Sequence, residues 1–273
     1  MKKFILSLIV VFLLIAGLKL FVSEHADSCI NVGGVWYKDL CLTSNTPENE
    51  LKKAGLITEV KTEKTNIKVT YPYKVLEYPR IYKYLKKNVE TIKKENGFED
   101  QDIELGLSGH PWSLNIDMSN YVSGQKVASI LGYVFSFTGG AHPNHSYFSV
   151  NFDKTSQDMI SIKDLFDNTE TVLDKISKYA VSNIQVQKSA RLNEKISTDE
   201  WLVDGAGPDL KNYNIFVFVP DGNSRIEGLK FIFPPYQVGP YVEGEYEVTV
   251  PSAIFYNNLR SQYKNNFVLK EPK

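Results

Sequence analysis

Two histidines lie three residues apart in the stretch SFTGGAHPNHSYFSV, which runs from residue 136 to residue 150. Imidazole nitrogens bind zinc and transfer protons near neutral pH, so His142 and His145 could serve a metal-dependent hydrolase. A hydrolytic zinc site needs about three protein ligands and an open coordination position. Candidates for a third ligand would have to be brought close by folding; they are His110, Asp117 and Asp153. We predict no metal site and no cofactor, and a metal-dependent enzyme remains the alternative.

The same stretch also carries the residues of a sharp turn. Gly139 and Gly140 can adopt backbone angles that other residues disfavour, and Pro143 fixes its own φ angle. Phe, Tyr and Val on both sides favour strands, so this turn is predicted to connect two of them. His142 is then expected to hydrogen-bond within the corner, or to contact a partner.

The sequence contains no specific motif for catalysis by a serine nucleophile or by a pair of carboxylates. Ser108 and Ser136 lie near histidines in sequence, but GLSGHP lacks the strand, Gly-x-Ser-x-Gly and helix of a nucleophile elbow. A glycosidase pair could be drawn from the 32 Asp and Glu residues without leaving a sequence signature. We predict no catalytic residue and no enzymatic activity, with a cell-envelope hydrolase as the alternative.

Two tyrosines stand in a segment that cannot be a regular strand throughout. Tyr236 and Tyr241 are surrounded by Pro234, Pro235, Gly239 and Pro240, which interrupt strand hydrogen bonding. Their rings could brace the fold or contact a ligand. The candidate partner-binding residues are therefore His142, Asn144, Tyr236 and Tyr241.

The N-terminal residues predict export. Lys2 and Lys3 precede an apolar run from Phe4 to Gly17, the arrangement of a signal peptide. Counted on to Val22, the run is about 28 Å long as a helix, enough to remain as a membrane anchor. Residues 1–23 are predicted to be a signal peptide or an uncleaved anchor, with the rest of the chain extracytoplasmic, membrane-anchored or periplasmic.

The two cysteines agree with that placement. Cys29 and Cys41 enclose a short loop in a chain predicted to be exported, which favours a disulfide over a zinc site. Closing such a loop is worth about 3 kcal/mol in the chain-entropy model.

Composition excludes one class of partner. The formal net charge is −1, and hydrophobic and charged residues make up 42% and 23% of the chain. Nucleic-acid binding needs a concentrated basic face. The lysines of residues 81–94 instead alternate with apolar residues and form the solvent-exposed side of an amphipathic helix. We therefore predict no nucleic-acid partner.

The order of elements predicts an α+β fold of two halves packed together. After a disulfide loop and tether over residues 24–65, residues 66–158 combine one helix with strands that include Trp112 to Met118, Ala128 to Phe137 and Tyr147 to Asp153. Residues 159–260 repeat the plan, with a helix from Thr169 and three later strands, and residues 261–273 form a tail. Each half is predicted to be a helix on a small antiparallel sheet.

Several segments resemble a known family. The stretches YPYKVLEYPRI, ILGYVFSFTGGAHPNHSYFSVNFD, ISIKDLF and LKFIFPPYQVGPYVEGEYEVTVP are similar to signatures of the RsiV-type extracytoplasmic domain family. That family includes the lysozyme-sensing ectodomain of the anti-sigma factor RsiV and the N-terminal module of the peptidoglycan deacetylase PdaC. The resemblance spans roughly residues 66–257.

The resemblance implies a non-enzymatic extracytoplasmic binding module of the cell envelope. Only Met1 to Lys3 precede the apolar run and the chain ends at Lys273, so we expect neither a sigma-factor-binding segment nor a deacetylase domain. The expected partners are a lysozyme-type protein, bound or inhibited, or peptidoglycan, together with the membrane through the N-terminal segment.

Overall fold

The computed structural model describes residues 24–100, 103–105, 109–195, 197 and 200–272. The predicted signal peptide or anchor, residues 1–23, lies outside this part. Within the described residues no helix is both long and apolar enough to cross a membrane.

The N-terminal segment is a small disulfide-linked unit. Residues 24–31 are helical, and β1 (Val35–Tyr37) and β2 (Leu40–Leu42) form an antiparallel hairpin. Cys29 and Cys41 are joined, with their Cα atoms 5.5 Å apart, which confirms the predicted disulfide.

The first half is built on a five-stranded sheet in the order β3-β4-β5-β6-β7. The strands are β3 (Ile57–Lys61), β4 (Thr65–Thr70), β5 (Trp112–Ser123), β6 (Val127–Phe137) and β7 (Asn144–Asp153). Helix α2 (Pro79–Glu95) packs on one face, because Ile81, Leu85, Val89 and Ile92 are buried on one side of the helix against residues such as Leu114 and Ile116. The opposite face of the sheet carries the candidate site.

The segment predicted to be a tether is folded. Helix α1 (Glu48–Ala54) leads into β3, which pairs with β4 from Ile57 opposite Thr70 to Lys61 opposite Asn66. The four residues of β3 after Ile57 are exposed, as on an edge strand, so the segment lacks the apolar alternation by which strands are recognised.

One strand pair also differs from the predicted antiparallel sheet. β4 and β5 are parallel, while the other neighbours in this sheet are antiparallel. Helix α2 lies between them in sequence, and a strand-helix-strand crossover within one sheet leaves its two strands parallel.

The second half is a three-stranded antiparallel sheet covered by a long helix. Its strands are β8 (Phe216–Pro220), β9 (Ile226–Phe233) and β10 (Tyr246–Pro251), in the order β10-β9-β8. Three helices precede them: α3 (Ile162–Leu165), α4 (Thr169–Leu192) and α5 (Glu200–Ala206). Val172, Ile176 and Ile184 of α4 enter a core with the phenylalanines of β8 and β9. The α+β class predicted from sequence is confirmed.

The C-terminal residues are part of this half. Helix α6 (Ser261–Lys264) is followed by Phe267, which is buried in the core, and Ile226 exchanges backbone hydrogen bonds with Asn266 and Val268. The predicted tail is therefore packed against this half, because Phe267 supplies an apolar anchor and Lys270 N donates to Ser252 Oγ at 2.8 Å.

Two side chains of the first sheet connect the two halves by hydrogen-bonding to backbone groups on the free edge of β8. Ser129 Oγ accepts from Phe218 N at 2.9 Å and donates to Asn151 Oδ1 at 2.6 Å, and Asn151 Nδ2 donates to Phe216 O at 2.9 Å. An edge strand needs such cover, since unpaired backbone groups are costly to bury.

Candidate functional site

The β6–β7 hairpin places the two histidines at one corner of the molecule. Residues 138–143 connect the strands, with Gly139 at a φ of +85° and Pro143 directly before β7. His142 is exposed in this connection, and its Nδ1 donates to Pro143 O at 2.9 Å. Asn144 is exposed as the first residue of β7.

Tyr241 from the second half packs against this corner. Its ring lies 4.3 Å from the His142 ring, centroid to centroid and inclined by 25°, and 6.0 Å from the His145 ring. Its hydroxyl donates to Pro143 O at 2.9 Å, so one carbonyl accepts from both Tyr241 and His142. The second half therefore fixes the hairpin through a stacked ring and a shared acceptor.

Tyr236 extends the group of rings and has an unusual backbone. Its ring centroid is 5.6 Å from that of Tyr241, and the residue is 54% exposed. Its φ is +72°, and Gln237 N donates to Pro234 O at 3.1 Å across the turn. This is the third position of a type II turn, where glycine is preferred, so a bulky residue there is strained.

The register of β6 and β7 adds the rings of Tyr133 and Tyr147, which were not among the binding residues predicted from the sequence. Tyr133 is opposite Tyr147 and Phe135 is opposite His145, and the Tyr133 hydroxyl is hydrogen-bonded to Nδ1 of His145. Counting back from the turn could have found them, but β7 was predicted to begin at Tyr147, three residues late. We call the rings of Tyr133, His142, His145, Tyr147, Tyr236 and Tyr241 the ring cluster.

A hollow of about 650 Å³ opens beside the ring cluster. Its walls combine Tyr133, His145 and Tyr241 with Val242 and Glu245. Burial, followed by the nearby Glu245 carboxylate, raises the pKa of Tyr133 and raises that of Tyr147 to about 12. Both phenols are therefore neutral near pH 7; the Tyr147 hydroxyl can donate a hydrogen bond to a ligand, whereas the Tyr133 hydroxyl is already hydrogen-bonded to His145 Nδ1.

A buried ion pair lies under the turn that carries Tyr241. Lys188 of α4 and Glu243 have side chains only 2% and 9% exposed, and Lys188 Nζ is 3.4 Å from Glu243 Oε2. Tyr246 donates its hydroxyl to the same oxygen at 2.7 Å, and Arg191 donates to Glu243 O at 2.6 Å. Breaking a buried pair leaves an uncompensated charge, so this network holds the turn in place.

The metal-site alternative depends on a third ligand beside His142 and His145. Over the residues that the structure describes, no group of three or more His, Cys, Asp or Glu side chains is placed to hold a metal ion. His142 and His145 are brought together with Tyr241, whereas Asp117 and Asp153 accept hydrogen bonds from nearby backbone N–H groups. Stacked rings beside a hollow offer flat apolar surfaces with polar edges.

Comparison with known proteins gives a family relationship for the second half. Residues 163–253 match the family model DUF3298, described as a protein of unknown function. This segment is related to the DUF3298 family. The matched segment contains Tyr236, Tyr241 and the buried ion pair, and the β6–β7 hairpin lies before it.

A curated relative covers more of the chain. Peptidoglycan-N-acetylmuramic acid deacetylase PdaC from Bacillus subtilis is 24% identical over 242 residues, which is 86% of this chain. The chain spans about half the length of that relative, 49%.

Two solved structures of DUF3298 proteins are also similar. One from Pseudomonas aeruginosa has a TM-score of 0.48 and 14% identity, covering 78% of this chain and 94% of its own. One from Bacteroides fragilis has a TM-score of 0.44 and 17% identity, covering 75% and 92%.

Proposed function

We propose that this protein is a non-enzymatic, extracytoplasmic binding module of the cell envelope, and that the ring cluster is its contact surface. The observation that carries the proposal is the meeting of His142 and Tyr241 across the two halves, with Tyr236 exposed beside them. A surface assembled from two sheets and held by a buried ion pair is preorganised, which lowers the entropy cost of binding.

Peptidoglycan is the ligand that this surface fits best. Sugar rings present apolar C–H faces and polar edges, and the ring cluster presents aromatic faces beside neutral phenols and the Glu245 carboxylate. The relative PdaC is named for a peptidoglycan substrate, which supports a cell-wall setting for this chain. The apolar run near the N-terminus supports export of the chain.

A lysozyme-type protein is the second candidate, and one observation favours it. Val242 follows Tyr241 in the same short turn and is 89% exposed, so an apolar side chain projects from the cluster into solvent. Exposed apolar and aromatic anchors surrounded by polar groups are typical of the centre of protein interfaces.

Sedimentation and capture experiments separate these ligands. The full chain is mixed with purified peptidoglycan and spun down, and in parallel it is passed over immobilised lysozyme, with inhibition of lysozyme measured in the same preparation. Binding to peptidoglycan is the expected result. Binding to lysozyme alone would transfer the proposal to the protein partner, and binding to neither would contradict it.

Enzymatic activity is tested in the same samples. We expect no release of sugar fragments or acetate from peptidoglycan, and no stoichiometric metal by elemental analysis. Metal that is bound in a one-to-one ratio and lost in His142→Ala would favour the metal-dependent alternative.

A further inference from the structure

A second hollow lies on the same open sheet face, on the opposite side of the ring cluster from the Tyr241 turn. It has a volume of about 360 Å³. Polar side chains of the first three strands and one ring of β6 line it; they are Glu59, Asn66, Lys68, Ser113, Asn115 and Phe135. None of them belongs to the ring cluster.

Strand register places this hollow and the ring cluster in one row. Glu59 is opposite Lys68, Lys68 is opposite Asn115, Asn115 is opposite Phe135, and Phe135 is opposite His145. Directly opposite residues point to the same face of a sheet, so all five side chains share the face that α2 does not cover. With strands about 4.8 Å apart, the row extends about 19 Å across the sheet.

The two ends of the row differ in chemistry. At the β6–β7 end, the Phe135 and His145 rings lie 5.5 Å apart and continue into the ring cluster. At the other end, three ammonium groups meet two carboxylates, since Lys52, Lys61 and Lys68 pair with Glu48 and Glu59. This group carries one excess positive charge, which favours an anionic substituent on the ligand.

Asn66 adds an unused acceptor to this end. Its Oδ1 is shielded from solvent and has no hydrogen-bond partner among the residues that the structure describes. An unsatisfied buried acceptor costs about 1–3 kcal/mol, and rotation of the Asn66 side chain towards the hollow would let a ligand amide or hydroxyl recover this energy. Asn115, on the neighbouring strand, presents a further amide to the same hollow.

We propose that the Lys68–Asn115 hollow is a second subsite, so that one glycan strand crosses the sheet from the ring cluster to this hollow. The occupant is an amino-sugar glycan bearing carboxylate and acetamido groups. Its sugar faces lie on the rings of β6 and β7, its carboxylate pairs with Lys68, and its acetamido group bonds to the asparagine amides. This subsite rests on the proposed glycan-binding function. It requires a glycan that runs across the strands, is long enough to reach both hollows and carries a negative charge.

The test is calorimetric titration of the full chain with a muramic-acid-containing disaccharide and tetrasaccharide. The tetrasaccharide is expected to bind about tenfold more tightly, as one charge-assisted contact would provide. Lys68→Gln is expected to remove this gain and Asn115→Ala to reduce it, and both should leave disaccharide binding unchanged. Lys83→Gln, which removes an exposed lysine from α2 on the other side of the sheet, is the matched control.

The outcomes separate the subsite from the function. If the tetrasaccharide gain persists in both variants with melting temperatures unchanged, the subsite is wrong and the proposed function stands. If neither oligosaccharide binds the unaltered chain, the subsite and the glycan-binding form of the proposed function are both wrong. If a short acidic peptide without sugars competes for the hollow as well as the tetrasaccharide does, the occupant is wrong.

Discussion

Tyr236 is an aromatic side chain at a backbone position that glycine prefers. Its φ of +72° is strained for a residue with a Cβ, and the ring is more than half exposed, so burial does not repay that strain. A strained and exposed aromatic side chain next to Tyr241 is explained more simply by contact with a ligand than by folding.

Tyr236→Gly tests this interpretation. Removing the Cβ relieves strain, so we expect the free energy of unfolding in urea to stay unchanged or to rise by about 1 kcal/mol. Binding to peptidoglycan is expected to fall, because one ring is lost. Ser224→Gly, at another exposed turn residue with a φ of +60°, is the control and should leave binding intact. A large loss of stability in Tyr236→Gly would show that the ring braces the fold.

A substitution at Gly239 tests whether the buried ion pair holds the turn that carries Tyr241. A Cβ at this position would lie 2.6 Å from Glu243 Oε2 and 3.1 Å from Lys188 Nζ. We therefore expect Gly239→Ala to destabilise the protein by about 1–3 kcal/mol in urea unfolding and to weaken binding. Gly222→Ala has open space around its Cβ and serves as the control. Equal stability of the two variants would mean that the turn tolerates displacement of the pair.

At the scale of elements, the strands with a strong apolar period were predictable and the edge strand was not. β5 buries Leu114, Ile116 and Met118 at alternate positions, which marks it clearly. β3 is polar after its first residue and is positioned by pairing with β4, a contact that no local pattern records. The parallel β4–β5 pair follows from the crossover through α2, but not from either strand alone.

The candidate site shows the same limit. The turn residues Gly139 and Pro143 predict a connection between strands, and His142 and Tyr241 were predicted to be binding residues from their sequence surroundings. Their stacking depends on how the two halves dock, and the place of Tyr133 depends on the β6–β7 register. Neither the stacking nor the place of Tyr133 can be deduced from the neighbouring sequence.

Docking of the two halves is itself testable at the β8 edge. Ser129→Ala would leave Phe218 N and Asn151 Oδ1 without their partner in a buried interface. We expect a loss of about 1–3 kcal/mol in the free energy of unfolding. Ser146→Ala, at an exposed position of β7, is the control and should change stability by less than about 0.5 kcal/mol. Similar values for both would show that this edge contributes little to docking.

For the whole molecule, buried tyrosines predict how stability depends on alkaline pH. Burial raises the pKa of Tyr147 and of Tyr246 to about 12, above the usual value of about 10 in an unfolded chain. Between these values the unfolded chain releases protons that the folded protein retains, so the free energy of unfolding falls as pH rises from about 10 to about 12. Urea unfolding across this range measures the loss. A flat profile would contradict the burial of these phenols.

The whole molecule is then two α+β halves that together form the ring cluster, the proposed contact surface. The first half supplies the sheet face and the hairpin, and the second half supplies Tyr236, Tyr241 and the ion pair beneath them. Neither half alone contains the ring cluster, and hydrogen bonds that link Ser129 and Asn151 of the first sheet to the β8 edge hold the two halves together.

The most direct test of the central claim compares Tyr241→Ala with Tyr84→Ala in sedimentation with purified peptidoglycan. Tyr84 is a partly exposed tyrosine on α2, behind the sheet, so its loss removes the same group from another surface. The account predicts that Tyr241→Ala weakens binding by about thirtyfold, as for the loss of a central aromatic contact worth about 2 kcal/mol, while Tyr84→Ala binds normally. Equal binding by the two folded variants would contradict the assignment of the ring cluster as the contact surface.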